Sequence, residues 1–543
     1  MTPKAREGRM TYQNKIPRVF VFSGRKRSSI KLTPTLALLV GVMIFLFAHA
    51  PVSAEDDVLI IEDDSLVIEV EDEASPLIIE DSDSDELIID DESSSNDFMS
   101  GDELIFEDEI DGSDVDTPDS KKMDSVAMYE SQSTTFPDKT STWAASLDQV
   151  QVEWGHFSKS RAQDRDHIYG QFDVSLERTF SKRWSVRFAV RADGYRGWRQ
   201  DSSDSDWQLS QLDYGESYLR YTGESQTVTV GAQQVIWGRI DEFPPTDRLS
   251  TQDLRRFVLD DLEQRRLASP ALRYQHFFES SQLDVVVYPK FREAQLPDEQ
   301  SSWYPVNKAT GEVLGLETSP AVEFLVKNTP LVDDVPDSNG GVGVRYSGLG
   351  DSFDYGVTLQ KGRQSVPYFA YNPLTNTIDS RYPRTNIVGA DFSFEGLGGT
   401  VKAEFSWLSD TPVTTRSGRY DTVESFSWGI ALEMFPGDGD ARLNIQLTGN
   451  QLLDTQALLE RENQLSINGS FETPFSDNNW RSKLRFNVGL DQDDIYLNPE
   501  LAYIGWDSHE AYLEFHYFDG DKGTPGGFYK NNSVATVGWR ASY

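Results

Sequence analysis

Apolar and polar side chains alternate with a period of two through most of the chain after residue 146. In one stretch Leu443, Ile445 and Leu447 alternate with polar residues, and the stretch 480–491 repeats the pattern. Successive side chains of a β-strand point to opposite faces of its sheet, so this period is typical of strands rather than helices. The pattern therefore predicts a sheet with one apolar surface and one polar surface.

The connections between these segments alternate between short and long. Short turns at 181–183 and 223–224 contrast with the long connections 239–269 and 290–339. Short periplasmic turns and longer external loops are typical of bacterial outer-membrane barrels, whereas a soluble β-sandwich has no reason for this alternation. We therefore predict an all-β fold, a transmembrane antiparallel β-barrel of about 16–18 strands. The expected strands lie near 147–157, 166–180, 184–198, 209–222, 225–238, 270–279, 281–289, 340–348, 352–362, 384–396, 398–409, 423–436, 439–451, 461–474, 480–491, 496–505, 509–519 and 532–543.

Charged residues within these segments share the polar face. In the segment 398–409, Lys402 and Glu404 oppose Val401 and Phe405. A Lys or Arg that faces lipid at mid-bilayer destabilises a barrel by roughly 2–4 kcal/mol, so the polar face should line a water-filled lumen. A barrel of about this many strands is wide enough to leave an aqueous channel unless loops fill it.

The last segment ends on an aromatic residue, Tyr543, with Ala541, Trp539 and Val537 at alternate positions before it. This resembles the terminal-strand signal by which the barrel-assembly machinery recognises outer-membrane barrels. A strand that merely closes a soluble sheet is the alternative.

The first 54 residues read as a secretory signal peptide. Basic residues precede an apolar run at 36–47, and small residues lead to a cleavage site after Ala54, with Ala50 as a competing site. An uncleaved anchor is the alternative, but the apolar run is shorter than the about 20 residues that a spanning helix needs. The signal favours an outer-membrane location in a Gram-negative bacterium, with the following segment in the periplasm.

Residues 55–142 form an acidic low-complexity segment, with 31 Asp or Glu and 3 Lys within a chain of 543 residues and net charge −39. Short aliphatic runs followed by acids recur at 58–64, 77–81, 87–91 and 104–109. One interpretation is a disordered tail, because like charges oppose compaction. The other is a set of linear motifs that add a strand to a periplasmic protein partner. The barrel would then occupy 143–543. No nucleic-acid partner is expected, because the basic zone lies in the signal.

The connection 239–269 changes period. Leu249, Leu254, Val258 and Leu267 are among apolar residues spaced three to five apart, which predicts a helix of about four turns. By resemblance to general porins, whose third external loop folds inward, we expect this helix inside the barrel. The alternative is an external helix whose charges pair along its own surface.

Arginines of this connection would join arginines of the polar strand face in a cationic patch. Guanidinium forks suit carboxylates and phosphates, and rings of Arg favour anions in a pore. Acids on the same face, such as Asp391 and Glu404, argue for self-pairing instead. The candidates for the pore lining or constriction are Arg187, Arg191, Arg220, Arg239, Arg248, Arg255, Arg256, Arg265, Arg266, Arg273 and Arg345.

Four nearby stretches carry a family resemblance. The runs 228–238, 253–257, 262–267 and 270–274 are similar to the signature region of a proteobacterial outer-membrane barrel family long classed as a domain of unknown function. That family's acidic residue after Trp-Gly is displaced here, because Arg239 and Ile240 precede Asp241. The architecture is also similar to alginate-export barrels. The resemblance implies a porin-like fold.

These features favour a porin-like channel for uptake or export of small solutes, anionic or organic, with outer-membrane lipid around it. No cofactor and no metal site is expected, since cysteine is absent and six histidines are scattered. An envelope anchor whose acidic tail binds a partner is the second hypothesis. An outer-membrane lipase involving His276 or His516 is the third.

Overall fold

The computed structural model describes residues 142–159, 163–201, 206–261, 264–437, 439–453 and 457–542. The signal peptide with its cleavage site at Ala54, nearly all of the acidic segment, and Tyr543 lie outside the described residues, so those expectations stay predictions.

Eighteen antiparallel strands form one closed barrel in the described part of the chain. Each strand pairs with its neighbours in the sequence, and the first pairs with the last from Val150–Ala541 to Phe157–Val534. The fourth strand is broken into two parts around Gly215. The strands are β1 (Ala144–Phe157), β2 (Asp164–Ser181), β3 (Trp184–Arg199), β4 (Trp207–Tyr214 and Ser217–Thr222), β5 (Gln226–Gln233), β6 (Ser269–Phe277), β7 (Ser281–Tyr288), β8 (Gly341–Gly348), β9 (Asp354–Arg363), β10 (Arg384–Gly396), β11 (Gly399–Thr414), β12 (Tyr420–Met434), β13 (Arg442–Leu452), β14 (Asn463–Phe475), β15 (Trp480–Gly489), β16 (Asp494–Trp506), β17 (His509–Gly520) and β18 (Val534–Ala541).

The predicted fold class is confirmed, and each of the eighteen expected segments coincides with one observed strand. The clearest difference lies at β5, which was expected to continue to residue 238 but ends at Gln233. Beyond this point the chain leaves the wall. Apolar and polar residues continue to alternate past Gln233, but a strand also needs a neighbouring strand to hydrogen-bond with. Residues 234–238 are not paired with any strand in the described part of the chain.

The two faces of the wall differ as the alternation predicted. On β17, Leu513 is 56% exposed on the outside and lies between Leu501 and Val537, which are also exposed. The next residue, Glu514, is buried on the inside, where it accepts a hydrogen bond from Thr536 (3.1 Å). The outer surface is therefore an apolar band and the inner surface is polar, which is the arrangement that a lipid environment requires.

The C-terminal strand follows the same rule. Val537, Trp539 and Ala541 occupy alternate positions of β18, whereas Thr536 and Arg540, on the opposite face, contact carboxylates inside the barrel. Val537, Trp539 and Ala541 therefore share one face of the strand. Their recognition by assembly machinery stays a prediction.

The long loops build a cap at one end of the barrel. It contains helix α1 (Pro320–Asn328), capped by Ser319, helix α2 (Pro525–Phe528) and a three-stranded sheet of Leu331–Val332, Tyr368–Asn372 and Thr377–Arg381. None of the helices in the described residues is long and apolar enough to cross a membrane.

An aromatic cluster packs the cap onto the upper rim of the barrel. Trp303, 1% exposed, contacts Phe157, Phe518 and Tyr529, and its indole N–H donates to the hydroxyl of Tyr195 (3.1 Å). The connection 290–339 therefore reaches back over β1 and β3 rather than extending freely from the wall.

Replacing Leu513 with Arg tests the position of the apolar band. We expect a loss of about 2–4 kcal/mol in the free energy of unfolding, because a guanidinium at mid-bilayer depth must be desolvated. Urea unfolding in lipid vesicles measures it. Leu513→Met is the matched control and should change stability by less than about 1.5 kcal/mol. Equal stability of the two variants would place Leu513 outside the lipid band.

Candidate functional site

Residues 234–268, the inner segment, leave the wall after β5 and return to it at β6. The residues of this segment other than 262 and 263 are described, and they form turns and one short pairing of Thr251–Gln252 with Arg266–Leu267. The prediction of a helix between Leu249 and Leu267 is wrong for these residues. Its charged side chains pair with the barrel wall rather than along a helix surface, so tertiary contacts override local propensity.

Glu404 of β11 holds the start of the inner segment. Its side chain is fully buried and accepts hydrogen bonds from the backbone N–H groups of Arg239 (2.7 Å), Ile240 (3.1 Å) and Thr246 (2.6 Å). The hydroxyl of Thr246 donates to it as well (2.7 Å). Four donors converge on one carboxylate, which folds residues 239–246 around it.

Gly238 allows the backbone of the inner segment to lie against the carboxylate of Glu404. Gly238 has φ of 138°, and a Cβ atom there would meet the carboxylate of Glu404 at 2.9 Å. A side chain at this position is therefore excluded both by backbone strain and by lack of space. The glycine of the Trp-Gly pair is explained by this contact.

Arg239 makes the neighbouring contact. Its guanidinium lies 2.6 Å from Asp391 of β10, which also pairs with Arg345 of β8 (2.7 Å). The hydroxyl of Ser393 accepts a further hydrogen bond from Arg239 (2.8 Å). The buried carboxylate of Asp391 thus links the inner segment to β10 and, through Arg345, to β8 on the far side of β9.

A second group of charges joins the middle of the segment to β3. Asp253 lies 2.5 Å from Arg255 and 3.6 Å from Arg191, and Arg255 also pairs with Asp193. Gln211 of β4 accepts from the same guanidinium (3.1 Å). The charges alternate in sign, so each buried ion has an opposite charge beside it.

Arg256 joins the segment to β1 and β2. Its guanidinium pairs with Glu153 (3.0 Å) and Asp260 (2.7 Å), and it stacks 4.0 Å from the ring of Tyr169. His167 also contacts Glu153, at 3.2 Å. Arg256 is 3% exposed, so these partners replace the water that it would otherwise need.

The far end of the segment contacts β15. Asp261 pairs with Lys483 (2.8 Å) and Arg485 (2.9 Å), and Arg265 pairs with Glu242 of the same segment (2.9 Å). Partners of the inner segment therefore lie on strands all around the barrel. The segment therefore runs through the interior of the barrel, and a constriction formed by it stays a prediction.

Nine of the eleven arginines predicted to line the pore have a carboxylate partner. Besides those described, Arg187 pairs with Asp148 (3.2 Å), Arg266 with Asp247 (2.5 Å) and Arg273 with Asp284 (2.5 Å). The two without an ion pair of 4 Å or less in the described residues are Arg220, which stacks on Tyr218 (4.4 Å), and Arg248, which bonds Pro245 and Ser427.

These contacts neutralise much of the expected cationic patch. Asp391 and Glu404 lie among these arginines, and the assignment of the arginines to a pore lining stays a prediction. The alternation did not reveal that Glu153, Asp193 and Asp261 were the partners, because those contacts join residues far apart in the chain. Period two alone could have placed Glu153 on the inner face, since it alternates with exposed Val152 and Trp154.

The two histidines considered for a lipase have other contacts. His516 is fully buried and lies 3.0 Å from the hydroxyl of Tyr496, and His276 lies 3.4 Å from the hydroxyl of Tyr274. Neither of these hydrogen bonds involves a serine.

Comparison with known proteins identifies no family for this chain. No protein-family model matches the chain, and no curated protein matches it in sequence. The solved structures that are similar include OmpF of Salmonella typhi in complex with daunomycin, at 9% identity and TM-score 0.39, covering 75% of this chain and 100% of that one. OccAB4 of Acinetobacter baumannii is similar at 8% identity and TM-score 0.43, covering 75% and 99%. The outer membrane channel DcaP of Acinetobacter baumannii is similar at 9% identity and TM-score 0.37, covering 74% and 97%. Membership of the proteobacterial family that the sequence resembles stays a prediction.

The substitution Glu404→Gln tests whether this carboxylate holds the inner segment in place. An amide offers one acceptor where the carboxylate offers two, so buried N–H groups lose partners at about 1–3 kcal/mol each. We expect the inner segment to detach and trypsin to cut after Arg239 or Arg248, which limited proteolysis with mass spectrometry would detect.

Glu395→Gln is the matched control, since Glu395 is exposed near the turn before β11. It should leave the inner segment as resistant to trypsin as the unaltered protein. Resistance of Glu404→Gln equal to that of the control would show that Glu404 does not hold the segment.

Proposed function

We propose that this protein is an outer-membrane channel whose passage is set by the inner segment. The observation that supports this most directly is the ring of contacts from residues 234–268 to strands around the lumen. A segment held only by chain connectivity would move aside, whereas buried ion pairs fix it across the path. Breaking one such pair typically costs about 3–5 kcal/mol, because it leaves an uncompensated buried charge.

The side chains inside the barrel favour selection of solutes by size over selection by charge. A field that selects anions needs guanidinium groups whose charge is not cancelled nearby. Pairs such as Arg256 with Glu153 and Arg345 with Asp391 cancel most of that field. We infer that passage is limited mainly by width, and that the preference for anionic or organic solutes predicted from the sequence is weak in the intact channel.

Exchange of residues 246–266 for a Gly–Ser linker of equal length tests the proposal. Such a linker is flexible and has no side chains that pair with the wall. We expect higher single-channel conductance in planar bilayers and little change in reversal potential, since the exchange removes arginines and acids together.

The exchange of residues 373–376 for Gly and Ser, in the surface turn between two cap strands, is the control. It should leave conductance unchanged. If neither the intact nor the exchanged protein conducts, the channel proposal fails, and the anchor hypothesis with its acidic periplasmic tail takes its place.

A further inference from the structure

Three basic side chains lie together on the outer face of the wall, at the capped end of β9 and β10. Lys361 and Arg363 continue the outward positions of Val357 and Leu359 on β9. Arg384 is the first residue of β10 and lies directly opposite Arg363 in the strand register. Side chains opposite each other on one face have Cβ atoms about 4.5–5.5 Å apart, so the two arginines are neighbours. We call these three basic residues the outer basic cluster.

The charges of this cluster are not neutralised by the protein. None of its three residues forms an ion pair of 4.0 Å or less with a carboxylate in the described residues. Other exposed arginines at the capped end do, since Arg165 pairs with Asp166 (2.7 Å) and Arg196 with Asp206 (3.6 Å). Like charges directly opposite each other on a sheet are destabilising. The cluster therefore carries a repulsion that its protein neighbours do not offset.

Hydrogen bonds to uncharged groups of the long connections hold the two arginines in place. Arg363 donates to the carbonyl of Tyr382 (2.6 Å) and to the hydroxyl of Ser338 (3.0 Å). Arg384 donates to the carbonyl (3.2 Å) and side-chain (2.8 Å) oxygens of Asn339. An arginine without such contacts can turn its head group into water, away from a like charge. Here the acceptors Ser338 and Asn339 are consecutive residues, so the guanidinium groups are kept side by side.

The apolar band begins directly beside the cluster. Lys361 lies opposite Val342 of β8, and the preceding outward residue of β9, Leu359, lies opposite Val388 of β10. Val342, Leu359 and Val388 are 41%, 53% and 47% exposed on the outer surface. Outward positions two residues apart along a strand are separated by about 7 Å. The cluster therefore lies at the border between the apolar band and the capped end of the barrel.

We propose that the outer basic cluster binds the phosphorylated head group of a membrane lipid, whose acyl chains lie on the apolar band. Guanidinium groups bind phosphate through charge-assisted hydrogen bonds, and each carries more N–H donors than its contacts with the protein use. A bound phosphate offsets the repulsion between Arg363 and Arg384, and Lys361 supplies a third cation beside the apolar surface. A free phosphate ion would leave that apolar surface unused, so a lipid fits the whole site. The site is on the outside of the barrel and is separate from the solute path.

Native mass spectrometry of the full-length protein in detergent tests the site by counting bound lipid. The probe is lipid A, a phosphorylated and acylated disaccharide. We expect saturable binding of lipid A, and binding about tenfold weaker for the same lipid after its phosphates have been removed. Inorganic phosphate in excess should not displace the lipid, because it makes no contact with the apolar band.

The substitution of Arg363→Gln with Arg384→Gln should weaken binding of lipid A about tenfold, because two of the three cations are lost. Arg165→Gln with Arg196→Gln is the matched control, since it removes the same charge from two exposed arginines that have carboxylate partners. This control should bind lipid A as the unaltered protein does. Lys361→Gln is a second test variant and should also weaken binding, although it removes no ion pair within the described residues.

Equal binding of lipid A by the Arg363 and Arg384 double variant and by the unaltered protein overturns the site. An equal loss in the control overturns it as well, and displacement by inorganic phosphate overturns the assignment to a lipid. Migration on unheated gels shows which variants are folded. If the double variant does not fold, unchanged binding by Lys361→Gln is the result that overturns the site. Ion conductance of the same preparations tests the channel separately and should be equal in all variants.

Discussion

The whole structure depends on the requirement that polar groups inside a membrane find partners within the protein. Along each strand this requirement sorts the side chains, with Leu513 outside and Glu514 inside. Within the lumen it pairs charges of opposite sign. Wall and lumen are two solutions to one constraint.

Inside the barrel, many charged side chains are buried in ion pairs. Buried ion pairs often contribute little net stability, because desolvation offsets their attraction. Their geometry is nevertheless demanding, since each misplaced charge would remain unpaired. The contacts of Asp253 and Arg256 with β1 and β3 therefore serve to fix where the inner segment lies more than to stabilise the barrel as a whole.

The sequence predicts the wall well and the interior poorly. Alternation over a dozen residues is a local signal that survives in the final fold, so the eighteen strands could be placed from it. The inner segment carries no comparable signal, because its conformation is set by residues such as Glu404 that lie far along the chain. Its apolar spacing of three to five residues suggested a helix, yet Phe257 has φ of 52°, outside the helical region. The end of β5 at Gln233 is also not predictable from alternation. It depends on whether a neighbouring strand is present, which the local pattern does not show.

The position of the inner segment in the chain has a consequence for assembly. Asp261 pairs with Lys483, 222 residues later, and Arg256 pairs with Glu153, 103 residues earlier. Contacts between such distant residues form slowly, because a long loop must close before they stabilise anything. The segment is tethered at both ends to β5 and β6, within the first third of the sheet. It must therefore be enclosed as β1 and β18 come together, so that closure of the barrel and capture of its contents are one event.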